Sequence, residues 1–419
     1  MTLNLCMIQS GIVLKSDDIL FLKVKGYKIQ MKERDIMMKN VIFYSAKTQY
    51  QNLGDMIINR EMLLQLRPYG KLIVDDKGVP EWFCKDLEIN SDERSSNHGI
   101  SFENLIIWYA FKAFFQKKYK IYFVIKPGHF YGEFKFINLF KLFYFAIIKI
   151  LGVRICRFGA SIGPFTKTMD FLEKLKSKFM YFYSVRDSIS KEYADQIHIE
   201  KVELFPDLAW LIKTPNGKSE SSESVKIDGK YVIFSFRNST ITNNLQGSIE
   251  HKNHFKNHFF KTLDQIVDLV CQTLSYNLVI SYQVDSDIDL CQDIMEKYKN
   301  SCNVILIEER INNLQCAYDL YSGADIVFSN RLHVLMFAML SGALPVGVLD
   351  VGKHSKITGI FNDAKLTKLL IDIYSQNYVA DNIYYIIDNK YKIKKEIEYW
   401  FETRKNEAIN LLNTIMTGV

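Results

Sequence analysis

Residues 325–349 restrict the fold more than any other part of the chain. Asp325 to Phe328 reads as a short buried strand, and Ser329 and Asn330 are residue types that turn a chain and cap a helix. From there Leu332, Leu335, Met336 and Met339 recur at helical spacing, while Val334, Phe337 and Ala338 fill the other faces. A helix that is apolar all round is a buried one. Gly342 ends it, and Leu344 to Leu349 begins another apolar strand. Arg331 and His333 therefore fall where a strand ends and a buried helix begins. In an α/β fold that position gathers unpaired N–H groups and the positive end of the helix dipole, which suits an anionic ligand. The competing reading is structural: an arginine paired with a local carboxylate and a histidine bonded to a carbonyl.

The same alternation runs through most of the chain. Strands are expected at 41–45, 72–74, 121–125, 154–158, 181–185 and 202–205, then at 231–236, 278–281 and 304–307. Between them lie helical patterns, including one opened by Asp55, a residue type that can cap it. Residues 75–100 read as irregular, and 126–132 and 159–164 as Gly-punctuated loops at strand ends. Strands alternating with helices predict parallel sheets covered on both faces. The stretch 213–229 breaks the pattern with Ser, Glu, Lys and Gly and reads as a linker. The expected class is thus α/β, with two doubly wound Rossmann-like domains facing across a cleft. Residues 1–40 form an N-terminal extension, 41–212 the first domain, 230–389 the second, and 390–419 a terminal helix or helix pair.

Charge and cysteine usage narrow the function. In 419 residues, 53 basic against 47 acidic side chains leave a net charge of +6. That is too mild for a nucleic-acid binder and fits an acidic substrate or an anionic membrane surface. The seven cysteines are scattered, which argues for reduced thiols and against a disulfide framework or a zinc site. His251, His254 and His258 have a spacing that metal ligands can use, but no carboxylate or thiol pattern supports them, and no metal is expected. No cleavable signal peptide is evident. The most membrane-like segment, 134–153, carries Lys135, Asn138, Lys141 and Lys149, which a spanning helix tolerates poorly. It reads either as a crossover helix covering a sheet or as an amphipathic helix resting on a bilayer.

Five motifs, in order, resemble the polysaccharide pyruvyl transferase family. Asn52-Leu-Gly-Asp55 looks like the family's N-terminal Asn-x-Gly-Asp, and Pro127-Gly-His-Phe-Tyr-Gly132 occupies the place of a Gly-rich strand end. Gly159-Ala-Ser-Ile-Gly-Pro164 is similar to Gly-Gln-Ser-Ile-Gly-Pro, with Ala160 standing where the family has Gln. Val185-Arg-Asp187 and Pro206-Asp-Leu-Ala209 match further elements, and Ser329-x-Arg-Leu-His333 with Gly342 and Pro345 is the most specific. The resemblance spans about 41–361. It implies a glycosyltransferase-B-like fold and transfer of a pyruvyl group from phosphoenolpyruvate to two hydroxyls of one sugar, giving a cyclic ketal in a capsule, exopolysaccharide or cell-wall glycan. It implies no metal or organic cofactor.

The residue types fit that chemistry. Guanidinium groups bind phosphate and carboxylate with paired hydrogen bonds, and Arg186, Arg237 and Arg331 all end expected strands, with Lys356 shortly after the last. Arg186 and Arg237 could equally pair with Asp187, Asp207 or another local carboxylate. The reaction needs a proton delivered to the vinyl carbon and a base for the sugar hydroxyl. His333 is the first candidate and His129 the second, with Asp55 and Asp207 as carboxylates that could act as base or hold the acceptor; helix capping or a turn would also explain both. Asn52, Gly128, Gly159, Ser161 and Gly163 are the expected contacts of the Gly-rich strand ends. The expected partners are phosphoenolpyruvate and a sugar acceptor, with a lipid-diphosphate-linked acceptor left open. The reading places the chain in the cytoplasm and leaves open peripheral contact with the inner face of the plasma membrane. A nucleotide-sugar-dependent glycosyltransferase of the same fold is the alternative, with Glu308 or Glu309 holding a ribose; a non-catalytic sugar-phosphate-binding protein is the third reading.

Overall fold

A computed structural model describes residues 39–214, 227–238 and 249–418, and the backbone of 14–16, 19–24 and 27–32. Most of the expected linker 213–229 lies outside the described residues. Of the extension 1–40, three antiparallel strands are described: β1 (Leu14–Ser16), β2 (Ile19–Val24) and β3 (Tyr27–Lys32).

The first large sheet comprises β4 (Lys39–Ser45), β5 (Lys71–Asp75), β6 (Tyr119–Ile125), β7 (Gly128–Gly132), β8 (Arg154–Phe165), β9 (Phe182–Val185) and β10 (Val202–Leu204). Its order is β10-β9-β8-β6-β4-β5, with β7 paired to β8, and every pairing is parallel. The second comprises β11 (Tyr231–Ser235), β12 (Asn277–Ile280), β13 (Val304–Leu306), β14 (Ile326–Ser329), β15 (Leu344–Leu349) and β16 (Leu370–Asp372). It runs β13-β12-β11-β14-β15-β16, again all parallel. Strands β9, β11, β14 and β15 are buried along their whole length, which explains their near-continuous apolar runs. These are the two Rossmann-like domains expected from the pattern.

The strand order fixes where a ligand can enter. In the first sheet the chain leaves β4 for β5 on one side and returns to β6 on the other. In the second it leaves β11 toward β12 and β13 and returns to β14 on the far side. Such reversals open a crevice at the carboxyl ends of the two flanking strands. Arg237 follows β11, and Arg331 follows β14. The terminal helix Lys390–Thr417 crosses back to the first domain, where the Phe401 and Trp210 rings lie 4.7 Å apart and the Met416 carbonyl accepts from Tyr122 Oη and Asn40 Nδ2, each at 3.3 Å. The largest apolar cluster is continuous between the domains through Leu208–Ile212.

Some local expectations change. Of the expected loops 126–132 and 159–164, residues 128–132 are strand β7 and 159–164 lie in the distal half of β8, in register with Gly128 opposite Ala160 and His129 opposite Ser161. Backbone pairing absorbs their buried N–H and C=O groups, and the glycines supply the irregularity: Gly163 has φ +78, and a side chain there would collide with the Tyr193 ring at 2.6 Å. The region 75–100 contains helix Glu81–Asp86 and is tied down by Arg67–Glu93 and Arg94–Glu81 ion pairs. The apolar helix expected at 134–153 is Ile137–Ile150.

Candidate active site

The cleft is lined by strand ends and helix starts from both domains. After β4 the chain turns into helix Leu53–Leu66, and Asn52 caps it by accepting from the Gly54 N–H at 3.1 Å. Asp55 is thus not the cap. It lies in the first turn and accepts from the Thr48 hydroxyl at 3.0 Å. On the neighbouring strands, His129 Nε2 lies 2.7 Å from the Gly163 carbonyl. A carbonyl only accepts, so Nε2 carries the ring proton.

A buried rack supports the next layer. The Ser161 hydroxyl donates to Asp187 at 2.7 Å and accepts from Arg186 Nε at 2.7 Å. Arg186 also donates to Asp207 at 2.5 Å, and Asp207 accepts from the Ala209 N–H at 2.8 Å. Asp187 caps helix Ser188–Gln196. Gly159 lets β8 approach the Pro206 carbonyl, which a Cβ would meet at 2.9 Å. Gly128 opens β7 at φ +133 and is half-buried.

From the second domain, the Arg237 N–H donates to Asn330 Oδ1 at 2.6 Å, which ties the ends of β11 and β14 together. Arg331 immediately precedes helix Leu332–Leu340; its guanidinium is bonded to the fully buried Asp287, and its Nε has no partner. His333 lies in the first turn with Nε2 3.8 Å from Asp207, within ion-pair range but beyond a hydrogen bond. Lys356 occupies the first turn of helix Ser355–Asp363. Among the described residues, neither the Arg237 guanidinium nor Lys356 Nζ has a carboxylate partner.

The electrostatics record how closely these groups converge. Burial, then the charges of Arg186, Arg237 and Arg331, pulls Lys356 down to about 7, with Asp55 opposing. Burial and Lys356 pull His129 to about 4, Arg186 and Arg237 adding to the effect. Burial opposes ionisation of Asp207, but Arg186 and His333 outweigh it and hold the carboxyl well below its usual range. Burial also lowers Arg331 against the pull of Asp287. Arg186 and Arg331 are ion-paired with Asp207 and Asp287, whereas among the described residues Arg237 and Lys356 are not ion-paired. The crevice carries positive charge beside imidazoles and carboxylates.

The sequence-derived candidates Asn52, Asp55, His129, Ser161, Arg186, Asp207, Arg237, Arg331, His333 and Lys356 therefore gather at one cleft. Three further residues escaped sequence reading. His354, two residues before Lys356, is pushed down to about 4 by burial and has an unpartnered Nε2. Asp287 immediately precedes a helix the pattern did reveal, so its position as a capping type was the available signal. Lys126 Nζ donates to the Lys47 carbonyl at 2.6 Å and is lowered by burial, with Asp55 opposing. His254 and His258, on helix Ile249–Val267, meet edge to face with ring centroids 4.4 Å apart, and His258 lies 5.0 Å from the Tyr374 ring; no group of three metal-ligating side chains occurs among the described residues. The side chain of His251 lies outside them. Two cavities of about 380 and 340 Å³ open between helix Leu53–Leu66 and residues 310–315, and neither is lined by Arg186, Arg237, Arg331 or Lys356.

The fold and this crevice define a class: a protein of glycosyltransferase-B-type architecture with an anion-attracting site between its domains. The chain belongs to the polysaccharide pyruvyl transferase family, whose model matches residues 52–348, and the family is one of transferases. Its fold is similar to that of Anabaena HepE in complex with UDP-glucose, at TM-score 0.55 and 12% identity over 90% of this chain and 98% of that one. It is also similar to UDP-GlcNAc 2-epimerase from Neisseria meningitidis bound to UDP-GlcNAc, at TM-score 0.51 and 12% identity over 91% of this chain and 100% of that one. A search of curated proteins finds no match.

Proposed function

We propose that this chain transfers a pyruvyl group from phosphoenolpyruvate to two hydroxyls of one sugar, forming a cyclic ketal in the synthesis of a capsule, exopolysaccharide or cell-wall glycan. The observation that carries the reading is a pair of cations without an ion-pair partner among the described residues, Arg237 at the strand-order reversal and Lys356 after the neighbouring β15, together with His333 and its Asp207 partner. Phosphoenolpyruvate brings a phosphate and a carboxylate, and the two cations supply one charge for each.

The chemistry divides among the side chains as follows. A proton is added to the vinyl carbon, and positive charge develops on the neighbouring carbon bearing the phosphate. The first sugar hydroxyl attacks that carbon and loses its proton. The second hydroxyl attacks the same carbon, phosphate leaves, and the second proton is lost. His333, with Nε2 3.8 Å from the Asp207 carboxylate, is the proton donor. His129, held neutral at pH 7, cannot donate a proton as an imidazolium; its Nδ1 is an acceptor for a hydroxyl proton. Asp55, across the cleft on helix Leu53–Leu66, receives or orients the acceptor.

Calorimetric titration with phosphoenolpyruvate tests the donor assignment. Saturable binding that Lys356→Met and Arg237→Ala each weaken at least about tenfold supports it. Binding of a nucleotide sugar with none of phosphoenolpyruvate would replace it with glycosyl transfer. Phosphoenolpyruvate binding without phosphate release, across a panel of sugar acceptors, would favour a non-catalytic role.

A further inference from the structure

The first domain presents two neighbouring helices whose outer faces are aromatic. Helix Ile137–Ile150 buries Phe145 and Ile148 against the sheet, in the same apolar cluster as Phe102, Leu105 and Ile106 of helix Phe102–Gln116. The two helices touch, with Tyr144 Oη donating to the Glu103 carbonyl at 3.4 Å. Their outward sides ought to be polar. Instead Phe136, Phe140, Phe143, Ile147 and Ile150, spaced alternately four and three apart, are 77, 69, 67, 51 and 80% exposed. On the neighbouring helix Trp108, Phe111 and Phe115 continue the surface at 51, 48 and 77% exposure. Scattered exposed apolar side chains are ordinary, but a contiguous aromatic face marks an interaction surface.

We propose that this face docks on the surface of a bilayer containing anionic lipid. Three observations select that occupant. Lys135, Lys141 and Lys149 are exposed along the helix, and residues 135–153 contain no Asp or Glu. Apolar rings flanked by lysines match acyl chains beneath anionic headgroups. A second copy of the same face would instead set lysine against lysine. A span is excluded by length: 14 helical residues reach about 21 Å, against about 30 Å of hydrocarbon, and no described helix is long and apolar enough to cross a membrane. The helix therefore lies in the interface plane. It also follows β7, where Tyr131, 66% exposed, has its ring 4.7 Å from that of His129. The chain thus passes from the strand that carries His129 directly into the docking helix. The docking itself does not depend on which group the site transfers.

Co-sedimentation of the full chain with vesicles tests this. Vesicles of phosphatidylcholine with about one-third phosphatidylglycerol should carry down the protein at least about tenfold better than phosphatidylcholine alone. The double variant Phe140→Ser/Phe143→Ser should lose sedimentation with both, and Lys141→Glu/Lys149→Glu should lose the preference for anionic lipid. Both should keep the wild-type melting midpoint, because these side chains support no core. A wild-type chain left in the supernatant, or variants that sediment like it, would overturn the proposal. So would light scattering that finds a dimer which Phe140→Ser/Phe143→Ser converts to monomer, since the face would then be closed by a second copy.

Discussion

Gly54 and His333 meet across the interdomain cleft: a Cβ built on Gly54 would lie 2.0 Å from His333 Nδ1. The start of the first domain's helix Leu53–Leu66 is thus seated directly on the imidazole that the second domain presents to Asp207. The missing side chain is what allows both domains to hold one histidine.

Gly54→Ala should therefore push the imidazole or the whole helix aside. A displacement near 1 Å at a reacting group costs about 100-fold in rate. Turnover measured by phosphate release should fall by that order, while phosphoenolpyruvate binding, carried by Arg237 and Lys356, should change less than about threefold. The double variant Gly54→Ala/His333→Ala should recover the melting midpoint lost by the single one without recovering turnover. Retention of full turnover in Gly54→Ala would show that His333 need not be fixed there.

Lys356 is a cation placed among three arginines, and the sign of its effect on stability follows. Its folded value, about 7, lies below the ordinary lysine value, so between pH 7 and about 10.5 the unfolded chain holds more protons. Stability then rises with pH across that window, and the full penalty is present below it. Lys356→Met should raise the melting midpoint at pH 6.5, where the penalty is at most about 5 kcal/mol, and by little near pH 10.5. The same variant should lose anion binding. In the wild type, phosphoenolpyruvate affinity should fall up to about tenfold per unit as pH rises above 7, because the bound anion favours the charged lysine. Affinity independent of pH between 7 and 9 would remove Lys356 from the site.

Two half-buried imidazoles set the acid limb. His129 and His354 both titrate near 4, below the ordinary imidazole value of about 6.5. Their contribution is complete above pH 6.5 and is lost as pH falls toward 4, by at most about 1.4 kcal/mol per unit for each. Replacing each with Gln should flatten the fall of the melting midpoint across that window. Replacement of both with no change in slope would mean that carboxylates alone govern acid unfolding.

Much of this architecture is legible in the sequence because its signal is local. The strand–buried helix–strand run around Arg331 reports its own burial, and alternation of strands and helices implies two parallel sheets. What the sequence hides is set by pairing at a distance. Residues 159–165 look like a loop because glycines interrupt them, yet β7 and β9 pair with the strand that carries them. Asn52 rather than Asp55 caps the first helix because the helix begins at Leu53, so the cap falls three residues earlier than the apolar pattern suggests. Asp287 and Arg331 lie 44 residues apart, so only the fold reveals that the guanidinium already has a carboxylate. The outward aromatic face of helix Ile137–Ile150 is ambiguous for the same reason: its periodicity is apolar on two sides, and only packing tells which side meets the sheet.

The first domain also contains a buried ionic cluster beneath the His129 strand. Arg157 is wholly inaccessible; it donates to Glu173 at 2.5 Å and to Tyr183 Oη at 2.9 Å and lies 4.5 Å from the centroid of the Phe130 ring. Its Nε and other Nη have no partner. Burial pushes Glu173 up, but Arg157 and Lys176 outweigh it and bring the carboxyl to about 2. Removing one partner of such a pair strands the other charge in a medium that cannot solvate it. Glu173→Ala should thus cost about 3–5 kcal/mol, whereas replacing Arg157 and Glu173 together with Met and Leu should cost far less or stabilise. Phe130 neighbours His129 on β7, so the single variant should also loosen the cleft, visible as faster hydrogen exchange at β7 than at β11. Equal losses for the single and double variants in denaturant unfolding would mean that packing volume, not the stranded guanidinium, is what Glu173 provides.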